Sequence, residues 1–144
     1  MEKVVSFDSS REHYDAEACV VWCFDDRFFK LLDAFIKGQG WKKVDVVKAA
    51  GGAKALTDDK SPDYVFVMNQ IKASVRLHKT KRLALMVHID CGGYGGSVAF
   101  SNDRQAEIDH HTKELEKVRT LMNRDFPELS TDFFIADFDG LYQV

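Results

Sequence analysis

Arg82-Leu83-Ala84-Leu85-Met86-Val87-His88-Ile89-Asp90-Cys91-Gly92-Gly93 is the stretch whose reading decides the fold. From Leu83 to Val87 every residue is apolar, the pattern of a strand covered on both faces, and a glycine pair closes the run. Three more segments read as such strands: 18–23 (Ala-Cys-Val-Val-Trp-Cys), 44–48 (Val-Asp-Val-Val-Lys) and 132–138 (Asp-Phe-Phe-Ile-Ala-Asp-Phe).

Helical patterns separate these runs. After Arg27, residues Phe28, Leu31, Leu32, Phe35 and Ile36 share one helical face, and Gly38-Gln39-Gly40 ends it. Ser61-Pro62-Asp63 supplies an N-cap followed by proline at the first helical position, predicting a helix to about residue 79. A third helix is predicted over about 103–124 from the recurrence of Ile108, Leu115, Val118 and Met122. Alternating strand and helix predicts an α/β fold, a mainly parallel β-sheet flanked by helices on both faces, because parallel neighbours need crossover connections. No repeat or linker interrupts residues 1–144, which read as one domain. Ligands of such sheets bind beyond the carboxyl ends of the strands, where the winding reverses. Cys23 and His88 both end a predicted strand.

The 144 residues are 45% hydrophobic and 30% charged, with a formal net charge of -3. That balance argues against nucleic acid or an anionic membrane as partner, since either favours a basic surface. The first residues lack the apolar core of a secretory signal, and no apolar run approaches membrane-spanning length, so a cytoplasmic location is expected. Three cysteines in such a chain point to metal ligation or buried thiols rather than to a disulfide framework.

Two motifs carry chemistry. Cys23-x-Asp25-x-Arg27 offers a thiolate with a carboxylate two residues on, which either takes a metal's fourth position or accepts a hydrogen bond from water. Arg27 can hold Asp25 in a bidentate pair and keep it off the ion. His88-x-x-Cys91-Gly92 adds two ligands that converge at a strand-to-loop turn. Each motif alone also reads as a buried thiol beside a solvated turn, or as a hydrogen-bonded core histidine. Together Cys23, His88 and Cys91 form a Cys2His set suited to Zn2+, with the fourth position open as in catalytic zinc sites.

Other residues read more plainly. Cys19 is expected to be a buried apolar thiol on the strand face it shares with Val21 and Cys23. His110 and His111 read as an exposed helix face, with proton shuttling as the alternative. His13 and His78 read as unpartnered surface residues. Tyr94-Gly95-Gly96 reads as a flexible loop that could line a substrate pocket.

With both motifs in place, residues 16–144 resemble the β-class carbonic anhydrases. That family's Cys-x-Asp-x-Arg and His-x-x-Cys-Gly patterns stand intact as Cys23, Asp25, Arg27 and as His88, Cys91, Gly92. Residues 133–141 resemble its last strand and turn. The resemblance implies zinc held by Cys23, His88 and Cys91, an Asp25–Arg27 catalytic dyad, and a homodimer or higher homo-oligomer with sites near the interface. It implies hydration of carbon dioxide to bicarbonate by an acidified water. The family's Arg-Asn-Ala-Gly stretch survives only as Lys48-Ala49-Ala50-Gly51, Asp26 stands where a small serine is common, and little chain precedes the first strand to form a wrapping arm. Two other readings keep the same site: a hydrolase acting on carbonyl sulfide or carbon disulfide, and a zinc-binding domain without turnover.

Overall fold

Burial on both faces suits β-branched and aromatic residues, and the apolar runs become strands in the computed structural model, which describes residues 1–144. β1 (Ala18–Cys23), β2 (Val44–Ala49), β3 (Arg82–His88) and β4 (Ser130–Asp137) are parallel. The fourth starts two residues earlier than predicted and ends one earlier. A strand absent from the sequence reading, β5 (Gly140–Gln143), returns antiparallel along β4. It forms because Phe138-Asp139 makes a two-residue reversal, with the Phe138 N–H held by Asp137 Oδ1 at 2.7 Å. The spatial order is β2-β1-β3-β4-β5.

Helices cover both faces. Cys19, Val21, Leu83, Leu85, Val87, Phe133 and Ile135 pack in one layer with α2 (Pro62–His78) and α3 (Arg104–Asp125). On the other face Val20, Trp22, Ala84, Met86 and Phe134 meet Phe28 and Leu32, the latter on α1 (Phe29–Gly38). Cys23, at the open end of β1, packs with Cys91 and this second cluster, although its register partner Ala49 lies against the first.

The predicted cap at Ser61 forms, its Oγ accepting the Asp63 N–H at 3.1 Å, and Asp103 caps α3 by accepting the N–H groups of Gln105 and Ala106. The buried stripe of α3 is Glu107, His111, Leu115, Val118 and Met122, with Ile108 only half-buried. His111 is therefore not on an exposed face: it is fully buried, because it falls one helical turn before Leu115. His78 is also corrected. It ends α2 beside the start of β2, where its Nδ1 meets Asp45 at 2.9 Å, and Asp45 also accepts from Ser74 Oγ and Tyr14 Oη. His13 is exposed, as expected.

The connection from β1 leads to β2 on one side, and the next crossover carries β3 to the other side of β1. The winding direction therefore reverses between β1 and β3. These two strands pair only from Cys19↔Leu83 to Val21↔Leu85, leaving their carboxyl ends splayed. Gly52, in the turn after β2, lies in that gap at φ +60°, where a Cβ would stand 2.2 Å from the Met86 carbonyl oxygen and 3.2 Å from the Cys23 nitrogen. No helix is long and apolar enough to cross a membrane.

Candidate metal centre

Cys23 ends β1, His88 ends β3, and Cys91 follows a tight turn in which Asp90 takes φ +56°. Their ligand atoms all lie within 4.8 Å of one another, and all three residues are buried. His88 Nδ1 lies 2.8 Å from the Ile89 carbonyl; donation there leaves the Nε2 lone pair free. Nε2 is buried and has no hydrogen-bond partner. Phe28 packs on the imidazole with ring centroids 4.5 Å apart. A tetrahedral Cys2His zinc site, with bonds of about 2.0–2.3 Å, needs donors roughly 3.5–4 Å apart. The donor set and its orphaned nitrogen fit such an ion.

The two sulfurs are coupled. A hydrogen bond from the Cys91 thiol favours the Cys23 thiolate, lowering its pKa against the effect of burial, with help from His88 and the Asp25 and Gly51 backbone N–H groups. Cys91 is held up in turn by that hydrogen bond and by burial. The pair therefore shares one proton, which a bound cation would displace.

Asp25 lies at the rim of this set, with Oδ2 3.9 Å from His88 Nε2. Arg27 grips its carboxylate through Nη2 at 2.7 Å and Nε at 3.1 Å. Those bonds, outweighing burial, hold the carboxyl down at about 2. The same guanidinium donates to Asp90 Oδ2 at 2.8 Å and to the Asp90 carbonyl at 2.9 Å. Behind the turn, the buried Glu107 accepts the Asp90 N–H at 2.7 Å and Ser97 Oγ at 2.8 Å.

Sequence reasoning missed Asp90 and Glu107. The His-x-Asp-Cys spacing placed the first beside two ligands and was its available signal. Glu107 gave none, because a glutamate in a charged helix reads as solvated. His111 packs between the rings of Tyr94 and Phe100, and burial, with the nearby His110, pushes its pKa down to about 4. It is a neutral aromatic plate at neutral pH, not a surface shuttle. Tyr94 turns its ring toward α3 rather than lining an open loop. Cys19 is a buried thiol pushed up to about 12 by desolvation, in the opposite layer from Cys23. Lys48 points its ammonium at the Phe29 ring, 4.8 Å from the centroid.

Comparison with known proteins bears on the fold. An uncharacterized protein of Rickettsia bellii is 26% identical over 150 residues, spanning 99% of this chain and 92% of its own length. Among solved structures, the carbonic anhydrase of Streptococcus mutans superposes with a TM-score of 0.63 at 16% identity, covering 95% of this chain and 87% of its own. The β-carbonic anhydrase of Aspergillus fumigatus gives 0.56 at 16%, covering 91% and 76%. A carbon disulfide hydrolase in its apo form gives 0.52 at 12%, covering 90% and 79%. The family model described as "Putative carbonic anhydrase" matches residues 14–126, a span that includes both ligand motifs. The chain belongs to that carbonic anhydrase family and has the β-class fold.

Proposed function

We propose that the chain is a zinc enzyme that interconverts carbon dioxide and bicarbonate. The observation that carries this reading is the convergence of Cys23, His88 and Cys91 with the Arg27-held carboxylate of Asp25 3.9 Å from His88 Nε2. The three residues would hold Zn2+, which when bound acidifies water to a pKa of about 7 and so provides a nucleophile at neutral pH. Asp25 would accept a hydrogen bond from that water and aim it. Arg27 would keep Asp25 ionised and off the ion. A hollow of about 320 Å³, where Phe28, Leu31 and Phe138 meet the charged Lys30, Asp137 and Asp139, opens beside Arg27.

Phe24, Phe29 and Phe138 are exposed around this rim. Their exposure supports a homodimer or higher homo-oligomer that covers them. We place the protein in the cytoplasm.

A second reading, a zinc-binding domain without turnover, draws on Lys48-Ala49, where the resemblance leads one to expect bracing side chains. Here the Gly51 N–H supports Cys23 instead. Purified protein assayed for zinc and for carbon dioxide hydration, with carbonyl sulfide and carbon disulfide as comparison substrates, separates the readings. We expect one zinc per chain, lost in Cys91→Ala. Asp25→Asn should keep zinc while hydration falls on the order of a hundredfold. Zinc without turnover on any of the three substrates would establish the binding domain instead. Turnover confined to a sulfur substrate would move the assignment to a hydrolase.

A further inference from the structure

We infer that Asp90 is a positioning residue that governs whether Asp25 faces Arg27 or the metal, an inference that rests on the zinc reading above. The Arg27 guanidinium makes three hydrogen bonds to the Asp25 carboxylate, whose Oδ1 also accepts the Arg27 backbone N–H at 3.0 Å, and two to Asp90, one on its carboxylate and one on its carbonyl. Asp90 does not belong to the ligand set and acts only through the guanidinium.

Asp90 is itself held firmly. Its φ of +56° fixes a turn that few side chains adopt without help. Its Oδ1 accepts the Ser97 N–H at 2.9 Å, and its own N–H is donated to Glu107 at 2.7 Å. Glu107 lies in the first turn of α3 and is fully buried. A continuous line of hydrogen bonds therefore runs from the helix, through Asp90, to the guanidinium and on to Asp25.

The line matters because Arg27 is 45% exposed and sits on a long, rotatable stem. Holding Asp25 alone would cost it rotamer entropy, and a second fixed anchor removes much of that cost. Asp25 Oδ2 needs only a small rotation to leave Arg27 for an ion held near His88 Nε2, 3.9 Å away. Asp90 also has an opposing effect, since a second carboxylate competes for the same cation. Its side chain is 42% exposed, so that Coulombic competition is screened while the geometric anchoring is not. Anchoring wins, and Asp90 keeps Asp25 on the arginine.

Cobalt-substituted protein at a fixed neutral pH tests this through its visible absorption, which reports the ligands of the ion independently of turnover. Arg27→Ala, in which Asp25 loses the guanidinium and keeps only the residue-27 backbone N–H, supplies the reference spectrum. Asp90→Gly removes the side chain without straining a positive φ, and Asp90→Asn keeps one acceptor for Arg27. Asp90→Gly should move the spectrum toward the reference, raising the carboxylate-bound fraction by about threefold to tenfold, the range for losing one exposed charge-assisted hydrogen bond. Asp90→Asn should fall between it and wild type. The double variant Asp90→Gly/Asp25→Ala should lose the shift. Cobalt bound with a wild-type spectrum in Asp90→Gly, or a shift that persists in the double variant, overturns the role of Asp90 alone. Failure of wild-type protein to bind cobalt overturns the metal reading, and this inference with it.

Discussion

Gly52 has less room than any other glycine of the site. At φ +60°, with the Met86 carbonyl 2.2 Å from where a Cβ would stand, it is confined by backbone conformation and by backbone contact at once. Gly52→Ala should destabilise the protein by about 3 kcal/mol or more, combining positive-φ strain with overpacking. Gly92→Ala is the control: no atom lies within 4 Å of its Cβ position and its φ is ordinary, so its effect should stay below about 1 kcal/mol. Urea unfolding midpoints of the two variants decide the point; equal midpoints would mean the splay between β1 and β3 is not filled by Gly52. At this scale the sequence was partly legible. Cys23, His88 and Cys91 stand out together because soft donors at strand ends have few other uses, and the structure brings their ligand atoms within 4.8 Å of one another. Asp90 and Glu107 do not stand out, because their contacts cross from one element to another, and local spacing carries no record of that.

Elements are joined by polar ties as well as by the apolar layers. One such tie, away from the candidate metal centre, is at Asp45, which receives Ser74 and His78 from α2 and Tyr14 from the segment before β1. Burial pushes its carboxyl up, but the hydrogen bonds from Ser74, His78 and Tyr14 outweigh that and hold it below its ordinary value. A carboxyl depressed on folding stabilises above its unfolded pKa, near 3.9, and that contribution disappears as pH falls through the lower folded value. Asp45→Asn should therefore cost about 1–3 kcal/mol at pH 7. The gap to wild type should close progressively below about pH 4. Denaturant titrations at several pH values measure it, and a gap independent of pH would rule out an ionised Asp45 as the tie. The start of α2 is legible from Ser61 and Pro62, since caps act within a few residues. The stripe of α3 is legible at Leu115, Val118 and Met122, but Ile108, which reads as part of it, is half-buried, and the first turns bury Glu107 and His111, whose side chains suggest solvent. β5 escaped notice because its four residues lack the length that makes a pattern.

For the molecule as a whole, alternation of strand and helix predicted the class of fold. Strand order had to come from the structure, since crossover connections permit more than one arrangement; the adjacency of β1 and β3 is what turns two separate motifs into one centre. An ion bound there ties together the ends of two central strands, so its removal should be felt throughout. Zinc at about a hundred times its dissociation constant stabilises a folded protein by about 2.7 kcal/mol. For a chain of this size that raises the melting temperature by roughly 5–10 °C. Calorimetry with zinc and with chelator measures the difference, and coincident melting curves would mean that no ion links the strands.

The division of the three sulfurs between two layers of the core has a practical consequence. Cys23 and Cys91 meet at the open end of the sheet, whereas Cys19 is enclosed between the sheet and α2, with its thiol held protonated up to about pH 12. An alkylating reagent at neutral pH should therefore modify none of them in the zinc-loaded protein, the Cys23 thiolate after chelation, and Cys91 and Cys19, whose thiols are held protonated, only on unfolding. Each alkyl group adds a fixed mass, so the spectrum of a treated sample distinguishes a molecule that has lost its ion from one that has lost its structure, with the cysteines themselves serving as the recorder.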